Sequence, residues 1–157
     1  MSDLNRRDLC LALSSLAALG GTAPMLQAKS IASDQADPVL GTSRVIPYAQ
    51  LAVEKDANGI ETRKVMSGAV KTGEFLEIHE TTLPPGQMPH PPHRHLNSEI
   101  LFIQQGTLEY LNDGKPEPVS PGGIIFTASN VLHGIKNTGD TPAIYIVVSI
   151  GRKLKET

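Results

Sequence analysis

From Val39 onward, the apolar positions fall in short runs separated by turn signals, and no stretch keeps the 3.6-residue period of an amphipathic helix. Strands are predicted over 44–46, 61–66, 74–82, 99–105, 107–111, 124–127, 132–137 and 143–150, with a helical turn over 48–53. Asn58-Gly59, Asp113-Gly114, Pro121-Gly122-Gly123 and Gly139-Asp140 supply the intervening turns. Pro84-Pro85-Gly86 and the prolines at 89, 91 and 92 hold the segment before residue 93 extended and exclude a helix there. Roughly eight to ten strands in about 120 residues predict an all-β domain closed as a barrel or a double-sheet jelly roll, because closure removes exposed strand edges.

The first thirty residues have a different pattern. Arg6 and Arg7 precede an apolar stretch from Leu9 to Leu19, and small residues follow. This is the layout of a cleavable export signal. The stretch is shorter than the roughly 20 residues of a spanning helix and is diluted by Ala, Ser and Gly, so cleavage is expected rather than retention as an anchor. Candidate sites lie after Ala28 and after Ala32, the second being favoured. The division is then 1–32 as signal and 33–157 as domain. Asn5-Arg6-Arg7-Asp8-Leu9-Cys10-Leu11 resembles the twin-arginine signal at its two arginines and departs from it at Leu9 and Leu11. That resemblance implies a periplasmic or secreted protein. Cys10, the sole cysteine, would leave with the signal, so the mature chain is expected to have neither a disulfide nor thiolate chemistry.

Charge adds mainly exclusions. Fourteen Lys and Arg against sixteen Asp and Glu in 157 residues give a net charge of -2 and no basic stripe. No nucleic-acid or membrane partner is expected for the mature chain.

The candidate chemistry centres on His93-Arg94-His95 and Glu99. Alternation along an extended segment turns His93 and His95 to one side and Arg94 to the other. Glu99 shares parity with Leu101 and Ile103, which places a carboxylate in the row expected to face the core. An ionised, unpaired glutamate there would cost several kcal/mol, so it requires a cation, a hydrogen-bond partner or a proton. A divalent metal ion held with the two histidines is one such solution, and His133 on a later strand is a further candidate. His79 lies on a strand face that parity alone does not assign. His90, in the proline-rich loop, is either a rim residue or a proton carrier at the mouth of the site.

His93, His95, Glu99 after three residues and Gly106 after six more resemble the first motif of the cupin family. Gly122, Ala128, Asn130, His133 and Asn137 resemble the second. Gly86 stands one residue too far upstream, Ala128 replaces a proline and Asn130 replaces a glycine. Asn tolerates a left-handed backbone better than most residues, so the last change is mild. The resemblance covers about residues 73 to 150. It implies a cupin-type jelly-roll barrel, a double-stranded β-helix, holding one divalent ion by His93, His95, Glu99 and His133. Mn or Fe would be favoured by folding before export, although affinity alone would prefer Ni, Cu or Zn.

The fold cannot name the reaction. With few cations near the predicted site, the expected ligand is a small neutral or aromatic molecule. The leading expectation is a metal-dependent dioxygenase-like enzyme with Glu99 and His90 as catalytic groups. A redox-neutral isomerase or lyase and a non-catalytic binding protein are the alternatives. Apolar residues at Ile100, Phe102 and along 144–150 also suggest a homodimer.

Overall fold

The computed structural model describes residues 39–152. The expected signal over 1–32 lies outside the described residues. Ten strands follow in order: β1 (Val39–Leu40), β2 (Val53–Lys55), β3 (Glu61–Val70), β4 (Phe75–Leu83), β5 (Ser98–Gln105), β6 (Leu108–Asn112), β7 (Lys115–Val119), β8 (Ile124–Thr127), β9 (His133–Asn137) and β10 (Ala143–Gly151). No strand forms over 44–46, where one was expected. Those three residues run as irregular chain into a 3-10 turn at Tyr48–Gln50. Pro47 caps that turn and cannot donate to a ladder.

Seven strands form one sheet in the order β1-β3-β4-β10-β5-β8, with β2 pairing to β3, and β7-β6-β9 form a second, smaller sheet. Inward residues of both sheets line one shared cavity. The fold class is therefore the expected all-β jelly roll. β7 was missed because Lys-Pro-Glu-Pro-Val carries two prolines, which normally demote a strand. It is tolerated because β7 is an edge strand paired only with β6.

Alternation sets the core. Leu101 and Ile103 on β5, Tyr145 and Val147 on β10, Leu108 and Tyr110 on β6, Ile125 on β8 and Ile135 on β9 are buried and pack as one cluster. The opposite face of β5 and β8 is open: Phe102, Ile124 and Phe126 are exposed, as is Ile150 at the end of β10. On β4 the outward Glu80 is nevertheless buried, because the 3-10 turn lies over it. Tyr48 donates its hydroxyl proton to Glu80 at 2.8 Å, and Arg63 pairs with the same carboxylate at 3.3 Å while lying over the Tyr48 ring. The buried charge is thus both neutralised and hydrogen-bonded.

Two polar residues close the connections. Asn137 is fully buried; its amide donates to the carbonyls of Leu83 and Thr141, and its Oδ1 accepts from the Gly139 amide. Asn130 has φ of +62°, the left-handed backbone expected where the family motif carries glycine.

Candidate metal centre

His93 and His95 sit on a short extended segment before β5 and not within a named strand. A single antiparallel bridge fixes it: the His93 amide donates to the His133 carbonyl at 2.9 Å, and the reverse bond measures 3.0 Å. The Asn130 amide donates to the His95 carbonyl at 2.7 Å and fastens the far end. These bonds lock the segment onto the start of β9, so that residues 38 and 40 positions apart in sequence present their rings together. Ring centroids lie 5.1 Å apart for His93 and His95, and 4.7 Å apart from each of them to His133. One ligand nitrogen from each of the three lies within 4.8 Å of the others.

Glu99, the second residue of β5, joins two of them. Its Oε1 is 3.2 Å from His95 Nε2 and its Oε2 is 3.7 Å from His133 Nε2. The odd residues of β5 face inward as parity required, since Leu101 and Ile103 are buried beside Glu99. Arg94 points the other way, donating to the Asn130 carbonyl and pairing with Asp113 on the exposed side.

The tautomers are set from behind. His95 Nδ1 lies 2.9 Å from the Asn97 carbonyl, and His133 Nδ1 lies 2.9 Å from the Val131 carbonyl. A carbonyl only accepts, so each Nδ1 carries a proton, and each Nε2 is the nitrogen turned toward Glu99. His133 Nε2 is buried without a hydrogen-bond partner, as is His93 Nδ1. Burial and the neighbouring His90, His133 and His95 hold the His93 pKa below its ordinary value of 6.5, which favours the neutral, ligand-competent ring. Orphaned nitrogens on His93 and His133 and a carboxylate in reach of two of the three rings fit a divalent cation as the missing partner. Such an ion would be held by His93, His95, Glu99 and His133, and when bound it would supply Lewis acidity and open positions for small oxygen ligands.

The cluster adjoins a cavity of about 510 Å³ that is partly open to solvent. Leu101, Val147, Ile135 and Ile60 provide apolar wall, while Tyr110, Tyr145, Thr81, His79 and Glu99 add polar groups. Tyr110 Oη and Thr127 Oγ1 share a buried hydrogen bond of 2.7 Å, and burial raises the pKa of both tyrosines, so both phenols stay protonated at neutral pH. Among the described residues no arginine lines the cavity, and the lining lysine, Lys55, is paired with Glu61 at 3.1 Å.

His79 faces inward from β4 and lines the cavity, which settles the face that alternation left open. His90 is exposed at the mouth, with its ring edge-on to His93 at 4.3 Å and its Nδ1 turned to the Pro91 carbonyl. Tyr110, Tyr145 and Thr81 were not legible as site residues. Strands such as Ile144-Tyr145-Ile146-Val147-Val148 are apolar on both faces and give alternation nothing to distinguish.

Residues 79–149 match the family model described as Cupin domain. The fold is that of the cupins. Among curated proteins, an oxalate-binding protein of Thermotoga maritima is 27% identical over 117 residues, covering 70% of this chain and 96% of that protein. A solved Thermotoga maritima structure described as a predicted oxalate decarboxylase is 26% identical with a TM-score of 0.57, over 69% of this chain and 99% of that one. An RmlC-like cupin from Shewanella frigidimarina superposes with a TM-score of 0.59 at 19% identity, over 71% of this chain and 94% of its own. At that identity the likeness speaks for the cupin barrel alone.

Proposed function

We propose that this chain is a mononuclear metal-dependent cupin enzyme with dioxygenase-like activity on a small neutral or aromatic molecule. The supporting observation is the meeting of His93, His95, His133 and Glu99 at a mainly apolar cavity large enough for a ring-bearing ligand. The ion is Mn or Fe in this reading. Glu99 serves as ligand and as a base beside the substrate, and the exposed His90 exchanges protons with solvent at the mouth. The tyrosine hydroxyls and Thr81 orient the ligand's polar atoms, while the apolar wall excludes water.

A second reading is favoured by the Thermotoga relatives, whose descriptions name oxalate. Here the cavity would take a small dicarboxylate through the ion. Against it stands the lining, which offers a dianion no unpaired arginine or lysine. The two readings separate in one experiment. Metal-loaded protein is mixed with catechol-type compounds, flavonoids and oxalate while dissolved oxygen and ligand-induced melting shifts are followed. Oxygen uptake with a ring compound supports the first reading. A melting shift with oxalate and no uptake with any ring compound would replace it with the second.

Export to the periplasm by way of residues 1–32 belongs to the same reading. So does pairing of two copies through the open face of Phe102, Ile124, Phe126 and Ile150, which is apolar enough to be self-complementary about a two-fold axis. Light scattering of the mature protein should give twice the chain mass; a monomer at micromolar concentration would remove the pairing.

A further inference from the structure

Inside the large sheet the side chains form rows across the strands. One row runs from Thr127 on β8 through Glu99 on β5 and Ser149 on β10 to Glu77 on β4. The next row along carries Leu101, Val147 and His79. His79 and Glu77 are two residues apart on one strand and so share its inner face. His79 Nδ1 lies 3.7 Å from Glu77 Oε1, which leaves Nε2 as the nitrogen free for the cavity that His79 lines. Neither residue belongs to the three-histidine cluster, and Glu77 stands two strands from Glu99, about 10 Å between backbones. The Glu77 side chain is 45% exposed, so the pair links the cavity wall to solvent.

We propose that His79 and Glu77 form a proton-accepting pair on the β4 wall of the cavity, which takes the hydroxyl proton of a phenolic or enolic ligand. This rests on the reading of the cavity as a metal-dependent small-molecule site and names the ligand chemistry that the rest of the wall suits. In the step the ligand O–H bond breaks, its electron pair stays on oxygen and the proton passes to His79 Nε2. The resulting imidazolium turns its Nδ1–H to Glu77, whose carboxylate balances the charge, and Glu77 returns the proton to solvent. A histidine suits this role because its ordinary pKa lies near neutrality. Burial lowers the His79 pKa, with His90 and Lys64 acting in the same direction, while Glu77 and Glu99 oppose it. The neutral, proton-accepting ring is therefore the resting form.

The probe is 4-nitrocatechol, whose visible spectrum changes when a hydroxyl ionises. It is titrated into the full-length protein, both stripped of metal and loaded with manganese, at a pH below its own ionisation. Wild type should show the ionised spectrum of the bound probe even without metal. H79Q should lose that signature and bind about tenfold more weakly, with E77Q in between, while both keep the wild-type manganese content. The proposal is overturned if the bound probe stays un-ionised in metal-free wild type, or if H79Q ionises and binds it as wild type does. Should H79Q fail to fold, E77Q at the half-exposed carboxylate decides, and wild-type behaviour there counts against the pair. Ionised probe on a wild-type chain that takes up no manganese would leave the pair standing and defeat the metal reading instead.

Discussion

Replacing His133 by alanine is expected to lower divalent-metal affinity by at least on the order of 10³-fold, beyond the 10- to 100-fold typical of losing an outer-shell partner. The ring is buried, its Nδ1 is committed to the Val131 carbonyl and its Nε2 makes no hydrogen bond, facing only Glu99 Oε2 at 3.7 Å. Metal at about 1,000 times its dissociation constant would stabilise wild type by about 4 kcal/mol, and H133A by little. The readout is the melting shift on adding Mn²⁺ or Fe²⁺, with bound metal measured by elemental analysis. An equal shift in both proteins would remove His133 from the site. Without metal the variant should also remain sensitive to acid. Burial lowers the His79 pKa from 6.5, so below that value the unfolded chain binds more protons than the folded one. Stability from this group is then complete above 6.5 and is lost as pH falls through the lower folded value.

The site was legible where sequence spacing reports on geometry. His93 and His95 flank one residue, Glu99 shares the parity of Leu101, and the structure brings all of them to His133. The reason for the convergence of the two histidines on His133 was not legible, because a single bridge to β9 holds the segment in place. Long-range pairing of this kind leaves no local signature. β2 was also missed: Val53-Glu54-Lys55 is exposed throughout and pairs only with β3, so no apolar alternation marks it. Its Glu54 and Lys55 nonetheless line the cavity. Conversely, Arg44-Val45-Ile46 has strand-like composition, yet Val45 is 91% exposed and no strand among the described residues pairs with it. Composition reports what a segment could bury, and topology decides whether it does.

Gly106→Ala should cost about 3–5 kcal/mol. The family pattern marks this glycine without a reason, and the structure provides one. Its φ is +88°, and a Cβ built there would lie 2.6 Å from both Cα and Cβ of Ala143. Ala143 is fully buried at the start of β10 and paired with Leu83 on β4, so the obstacle is backbone that cannot rotate aside. The β10 register shifts against β5 between Ile144 and Tyr145, directly beside the contact, and forcing the strands apart would strain that bulge further. Gly114→Ala is the control. Its φ of +86° imposes the same backbone strain, but nothing lies within 4 Å of the added methyl, so roughly 1 kcal/mol is expected. Denaturant titration of both variants separates the two costs, and equal losses would show that the close approach to Ala143 contributes nothing. Because β10 also carries Tyr145 and Val147 into the cavity, the proposed function predicts that any G106A protein that still folds binds ring-bearing ligands more weakly with unchanged metal affinity, since the proposed ligands lie on other elements.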